Sequence, residues 1–309
     1  MIATAHNILK TLGYFDLFHY PLTKQEIWLF HSADISFPLI DQALEILVAD
    51  KTVFRFDDLY TLQNDPALAQ RRRTGNLLAV EQMKTAQKVA KLLAAFPFVK
   101  GIAVSGSLSK NFADKNSDID FFIVTAANRL WVARTFMHLY KKVTFLTGRQ
   151  DWFCMNYYVD EAALEIPEKN IFTATEIVTL LPMHGKSGLN NFISSNKWTQ
   201  QHYFPQQHYS AGNTPEIKAG IFRRGIEKIL SGAIGDALDK RLMKITGKRW
   251  QKKAERHQLN NRGGSMGMTV GRHFSKPDPK NFQDKIVRQY EDKVKQLLQQ
   301  QSKTPFLFL

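Results

Sequence analysis

Residues 98–124 read FVKGIAVSGSLSKNFADKNSDIDFFIV, and their reading decides the fold. Phe98 to Val104 is a short, mostly apolar run; Ser105-Gly106-Ser107 breaks it; a polar loop follows from Ala113 to Ser117. Asp118-Ile119-Asp120 then opens a second run, Phe121 to Val124, that is apolar at every position. Such a run is the mark of a central strand covered on both faces. Side chains alternate along a strand, so Asp118 and Asp120 share a face. Two carboxylates held together raise each other's pKa unless a cation accompanies them. A hard divalent ion relieves the conflict, and Mg²⁺ favours one or two carboxylates completed by water and phosphate oxygens. The turn between the strands complements the acids. Gly106 lets a ligand approach the backbone closely, and a helix beginning at Ser107 turns unpaired N–H groups toward an anion. Ser107 and Ser109 add hydroxyls, and Lys110 adds a cation one turn in.

Working outward, residues 66–96 read as one long helix ended by Pro97, with Arg71-Arg72-Arg73 near its start as a solvated face. A helix is expected over 127–143 and a third strand over 152–159. In front of them, residues 1–12 have helical apolar spacing, and Thr23 with Glu26 fits a capping box. Ser36 and Pro38 open another helix, and residues 53–62 read as a hairpin around Asp57-Asp58. Behind them, helices are expected over 170–181, 217–245 and 279–301, with a glycine-rich mobile loop over 260–280. The expected division is 1–65, a winged-helix-like domain; 66–185, the domain of the quoted stretch; and 186–309, a basic helical domain.

Charge separates these parts. The chain has 309 residues and a formal net charge of +14. Residues 1–65 carry four basic and nine acidic side chains, residues 66–185 fifteen and ten, and residues 186–309 twenty-three and nine. The helix expected at 36–50 holds Asp41, Glu45 and Asp50 and neither Lys nor Arg, so DNA binding by the front module is not expected. The basic tail, with Lys240, Arg241, Lys244, Lys248, Arg249, Lys252, Lys253 and Arg256, suits RNA or another polyanionic acceptor. A single cysteine, Cys154, excludes a disulfide scaffold and a cysteine-based zinc site. With neither a signal peptide nor a run of about 20 apolar residues, a cytoplasmic protein with no membrane contact is expected.

The string SGSLSKNFADKNSDIDFFIV resembles the signature of the nucleotidyltransferase superfamily, which includes DNA polymerase beta, the aminoglycoside nucleotidyltransferases and the minimal nucleotidyltransferases. The wider layout, with FPFVKGIAVSGSLSKN, NIFTATEIVTLLPMHG and SSNKW, is similar to a bacterial family that joins such a domain to a winged-helix-like front and a helical back. The resemblance implies an α+β fold, with a small mixed sheet and helices. It implies that Gly106 and Ser107, with Ser109 and Lys110, hold a nucleoside triphosphate. Asp118 and Asp120 would bind Mg²⁺ or Mn²⁺ and carry catalysis. The reaction implied is transfer of a nucleoside monophosphate to a hydroxyl acceptor with release of pyrophosphate. Many superfamily members place a third carboxylate on the next strand, which here reads WFCMNYYVD. That acid is Asp160, or Glu165 just beyond, or it is absent, with Asn156 a weak carbonyl ligand. Absence would fit a nucleotide-binding or antitoxin-like regulator without turnover.

Overall fold

The computed structural model describes residues 1–115, 117–148, 150–256, 267–277 and 282–303. The front segment comprises α1 (Ile2–Asp16), β1 (Leu22–Thr23), α2 (Lys24–Leu29), α3 (Phe37–Ala49), β2 (Phe54–Phe56) and β3 (Leu59–Thr61), its strands antiparallel in the order β1–β3–β2. The capping box forms as expected: the Thr23 hydroxyl accepts the Glu26 N–H at 3.2 Å, and the Glu26 carboxylate accepts the Thr23 N–H at 2.8 Å. α1 runs beyond the expected 1–12, through Gly13, because a tertiary contact holds it: a Cβ at Gly13 would stand 3.2 Å from Leu297 of the C-terminal helix.

Next come α4 (Pro66–Ala94), β4 (Val99–Val104), α5 (Gly106–Ser109), β5 (Asp120–Thr125), α6 (Leu130–Thr144), β6 (Cys154–Asp160), α7 (Ile171–Val178) and β7 (Leu181–His184). After them come α8 (Lys186–Ser195), α9 (Trp198–His202), α10 (Ile221–Ile229), α11 (Ala233–Glu255), β8 (Met268–Val270), β9 (Phe274–Pro277) and α12 (Phe282–Lys303). The chain is α+β. Among the described residues one six-stranded mixed sheet runs β7–β4–β5–β6–β9–β8, parallel only between β5 and β6. β5 shows why its sequence is apolar throughout. Phe121 and Ile123 enter a core built with α4 and α6, while Phe122 and Val124 enter a second core with α7 and α8 on the other face.

The rear of the chain departs from expectation in three places. The helix expected over 170–181 stops at Val178, and Leu181–His184 pairs with β4 as an edge strand. The helix expected over 217–245 is two helices, divided at Leu230-Ser231-Gly232; the turn is so tight that a Cβ on Gly235 would lie 1.8 Å from the Leu230 carbonyl oxygen. Residues 267–277, expected as mobile loop, hold the hairpin β8–β9, which extends the sheet from β6; the rest of 260–280 lies outside the described residues. Residues 186–309 thus supply two strands to the central sheet, and α12 packs on α1 with Ile286 in the front core. No helix among the described residues is long and apolar enough to cross a membrane.

Of the arginine triplet expected as a solvated face, Arg71 and Arg73 are exposed as expected, but Arg72 is a buried clamp. Arg72 is buried at 5% exposure, donates to both Glu26 carboxylate oxygens at 2.7 and 3.0 Å and to the Pro21 carbonyl, and lies 4.0 Å over the Tyr20 ring. Arg71 bonds the His19 carbonyl and pairs with Asp114; Arg73 pairs with Asp57. On the same face of the sheet as α4, buried Asp239 on α11 accepts the N–H groups of Trp131 and Val132 at 2.8 and 3.0 Å, capping α6 from a distant helix.

Two outcomes follow. Arg72→Ala leaves Glu26 without its buried partner and is expected to lower stability by about 3–5 kcal/mol, read by urea unfolding. Burial holds the Asp239 carboxyl up at about 6, against the pull of its two backbone N–H bonds. An acid raised by folding makes the native state bind more protons than the unfolded chain, so its contribution weakens as pH rises from about 4 through 6. Asp239→Asn is therefore expected to gain relative to the parent between pH 4.5 and 7.5; parallel melting curves across that range would contradict this.

Candidate active site

The site forms where β4 ends and β5 begins. The Ser105 N–H donates to the Asp120 carbonyl at 2.9 Å, and the chain then turns through Gly106 at φ +68°. Only glycine adopts this left-handed conformation without strain. It also faces Asp120: a Cβ on Gly106 would lie 2.6 Å from Asp120 Oδ2. The glycine is thus required twice, by its φ and by the carboxylate lodged against it. Ser107 follows on the exposed side of the turn.

Asp118 and Asp120 flank buried Ile119, which anchors the opposite face of the strand. The Asp120 carboxyl is held up at about 6. Burial contributes most; Asp118 and Glu176 add like charge, while a hydrogen bond from Cys154 and the charge of Lys110 pull it back. The parallel register sets Cys154 opposite Asp120. Burial, with Asp120 beside it, pushes the Cys154 thiol well above its ordinary range.

Asp120 opens onto a cavity of about 890 Å³, a size suited to a bound small molecule. Ser105, Gly106, Ser107 and Lys110 line one side, with Asn156 and Tyr157 from β6 and Glu176 from α7. Lys110 points inward: its ammonium bonds Glu176 at 2.8 Å and the Gly106 carbonyl at 3.1 Å. The opposite wall is aromatic and comes from the front segment and α12, through Tyr14, Phe15, Phe18 and Phe282. Tyr20 fastens the front segment to the turn, its hydroxyl donating to the Lys110 carbonyl.

Other expected site residues lie elsewhere or act differently. Ser109 is buried, and its hydroxyl donates to the Gly106 carbonyl at 2.9 Å; it braces the turn instead of facing the cavity. Asp160 pairs with Thr125 at the far end of β6, six residues beyond Cys154 and so roughly 20 Å along the strand. There it is fully buried and held by the Asn128 and Ala162 N–H groups and by His273 at 3.0 Å. Glu165 is an exposed partner of Lys169 at 2.7 Å. Neither acid joins the pair. Asn156 stands in the bulge of β6 at the cavity wall. The acid that does come near is Glu176, which sequence reasoning missed. It sits in an ordinary core-helix pattern, and only the packing of α7 on the sheet brings it to Lys110.

Residues 83–170 match the family model of the nucleotidyltransferase domain. The matched span holds the turn, both aspartates and the strands around them, so this part of the chain is a nucleotidyltransferase domain, which supports nucleotidyl transfer as its general activity. No curated protein and no solved structure matches the chain.

The contact between glycine and carboxylate can be measured. Gly106→Ala is expected to cost about 1–2 kcal/mol from backbone strain alone. In a double-mutant cycle with Asp120→Ala the two changes are expected to couple by about 0.5–3 kcal/mol, because removing the carboxylate makes room for the methyl group. Strict additivity in urea unfolding would show that the two residues do not touch.

Proposed function

We infer that the protein is a divalent-metal-dependent nucleotidyltransferase that moves a nucleoside monophosphate from a triphosphate to a hydroxyl acceptor. The observation that carries this reading is the Asp120 carboxylate lodged against the left-handed Gly106 at the mouth of a large cavity, with Asp118 two residues away. The donor set fits Mg²⁺ or Mn²⁺. It consists of the carboxylates of Asp118 and Asp120, two residues apart, with Asp120 already held above its usual range by burial and by the like charge of Asp118. Among the described residues no group of three or more His, Cys, Asp or Glu could hold a metal. That suits an ion whose remaining ligands are water and phosphate oxygens. When bound, such an ion supplies charge compensation for the carboxylates and the triphosphate.

The chain's own residues do the positioning. The turn at Gly106 and Ser107 leaves backbone N–H groups and a hydroxyl for phosphate oxygens. Lys110, steadied by Glu176, brings a positive charge to the same place. The acceptor oxygen bonds to the α-phosphorus, the bond from that phosphorus to the bridging oxygen breaks, and pyrophosphate leaves. The acceptor's proton passes to solvent or to a carboxylate. The acceptor we assign is a molecule that enters the cavity, with the aromatic wall against its body. An RNA held along the basic helix α11 fits less well. α11 packs through Leu242 and Met243 on the core beneath Phe121, the face of the sheet opposite Asp120 and Phe122.

The test is pyrophosphate release from labelled nucleoside triphosphates with Mg²⁺ or Mn²⁺ and a panel of hydroxyl compounds. Asp118→Asn and Asp120→Asn are each expected to lower the rate at least about a hundredfold, with Asp160→Asn affecting stability instead. Release that survives in both aspartate variants would overturn the assignment.

A further inference from the structure

α10 is amphipathic in the wrong sense for a helix of a closed protein. Its inward face is polar. Arg223, 7% exposed, donates to the Ala94 carbonyl at 2.7 Å, the Val99 carbonyl at 2.8 Å and the Glu227 carboxylate at 2.8 Å. Glu227 in turn accepts the Phe98 N–H at 2.6 Å. This pair docks the helix on the connection between α4 and β4. The apolar side chains are left outside: Ile221 is 84% exposed, Phe222 83%, Ile229 71% and Ile234, at the start of α11, 70%. Scattered exposed apolar residues are ordinary, but four large ones on one short stretch mark an interaction site.

Shape and charge identify what covers them. A Cβ added at Gly220, Gly225 or Gly232 would meet nothing within 4 Å, so open space borders the stretch at these three positions and no groove encloses it there. Lys218, Arg224 and Lys228 are exposed around it; Glu227 is turned inward, and the exposed acids at its two edges, Glu216 and Asp236, are held by Ser187 and Arg129. A second copy of the chain would bring the same three cations against these. A basic, exposed apolar stretch matches a negatively charged lipid surface, where apolar tips enter the headgroup layer and Lys and Arg meet anionic phosphates. At nine residues α10 is far too short to span a bilayer. The expectation of no membrane contact rests on the missing spanning segment and does not bear on an interfacial helix.

We propose that the α10 stretch, through Ile221, Phe222 and Ile229 flanked by Lys218, Arg224 and Lys228, is a peripheral docking site for anionic phospholipid membranes. The site is independent of the transferase reading. The test is co-sedimentation of the full-length protein with vesicles of phosphatidylcholine alone or mixed with phosphatidylglycerol. The parent is expected to pellet with the mixed vesicles and to stay in solution with phosphatidylcholine. The combined Ile221→Ser, Phe222→Ser and Ile229→Ser variant keeps every charge and alters only exposed side chains. It is expected to melt like the parent and to partition about tenfold more weakly or less. Arg224→Glu with Lys228→Glu is expected to weaken binding as well. Unaltered binding by the triple serine variant would overturn the proposal, since general attraction of a basic protein would then account for the partition. So would a parent that ignores mixed vesicles. A concentration-dependent dimer in sedimentation velocity that the same variant abolishes would assign the stretch to a second copy instead.

Discussion

The carboxylate of Asp120 pressed against a glycine in the left-handed conformation is the constraint on which the rest of the site depends. The antiparallel pairing of β4 and β5 brings the two residues together through the Ser105–Asp120 backbone bond. The cores on both faces of β5 keep that pairing from slipping, because a shift of one residue would exchange Phe121 and Ile123 with Phe122 and Val124. Enclosure at the turn, with the like charge of Asp118 and Glu176, then raises the pKa of the acid. On the function proposed, a carboxyl group in that state, beside a second acid and the Gly106 turn, would meet a cation that arrives with phosphate.

The nucleotidyltransferase domain does not complete the site by itself. Residues well outside 83–170 form the aromatic wall, and their attachment is specific. Tyr20 bonds the Lys110 carbonyl, Arg72 joins α4 to Glu26 and Pro21, and Phe112 fills the space over Gly75, where a Cβ would lie 2.2 Å from its ring. At the back of the same segment, Asp16 pairs with Lys293 and Tyr14 stacks edge-on to Tyr290 of α12. The front segment is thereby gripped both from the middle of the chain and by α12, and it bounds the space where an acceptor would lie on the function proposed.

Local chemistry was legible in the sequence, and long-range packing was not. The strands at 99–104 and 120–125, the capping box at Thr23 and the long helix from Pro66 follow from patterns within a few residues of one another. That Gly106 breaks the first strand and Asp120 opens the second was legible for the same reason. Asp160 looked like a partner for the pair because it ends the right strand, but strand register puts it at the wrong end. Glu176 gave no signal, since a glutamate in an apolar helix reads as its solvent face until the helix is docked. Arg72 likewise reads as surface charge until Tyr20 and Glu26 close around it. Gly271 reads as loop, yet it sits in a hairpin where a Cβ would meet the Phe274 ring at 2.3 Å.

The most direct measurement is a crystal structure of the full chain with Mn²⁺ and a nonhydrolysable nucleoside triphosphate, read by anomalous scattering. The account predicts a manganese peak between the carboxylates of Asp118 and Asp120, with phosphate oxygens on the Gly106–Ser107 backbone and near Lys110. Manganese bound elsewhere, with those carboxylates unliganded and the triphosphate away from the turn, would contradict it.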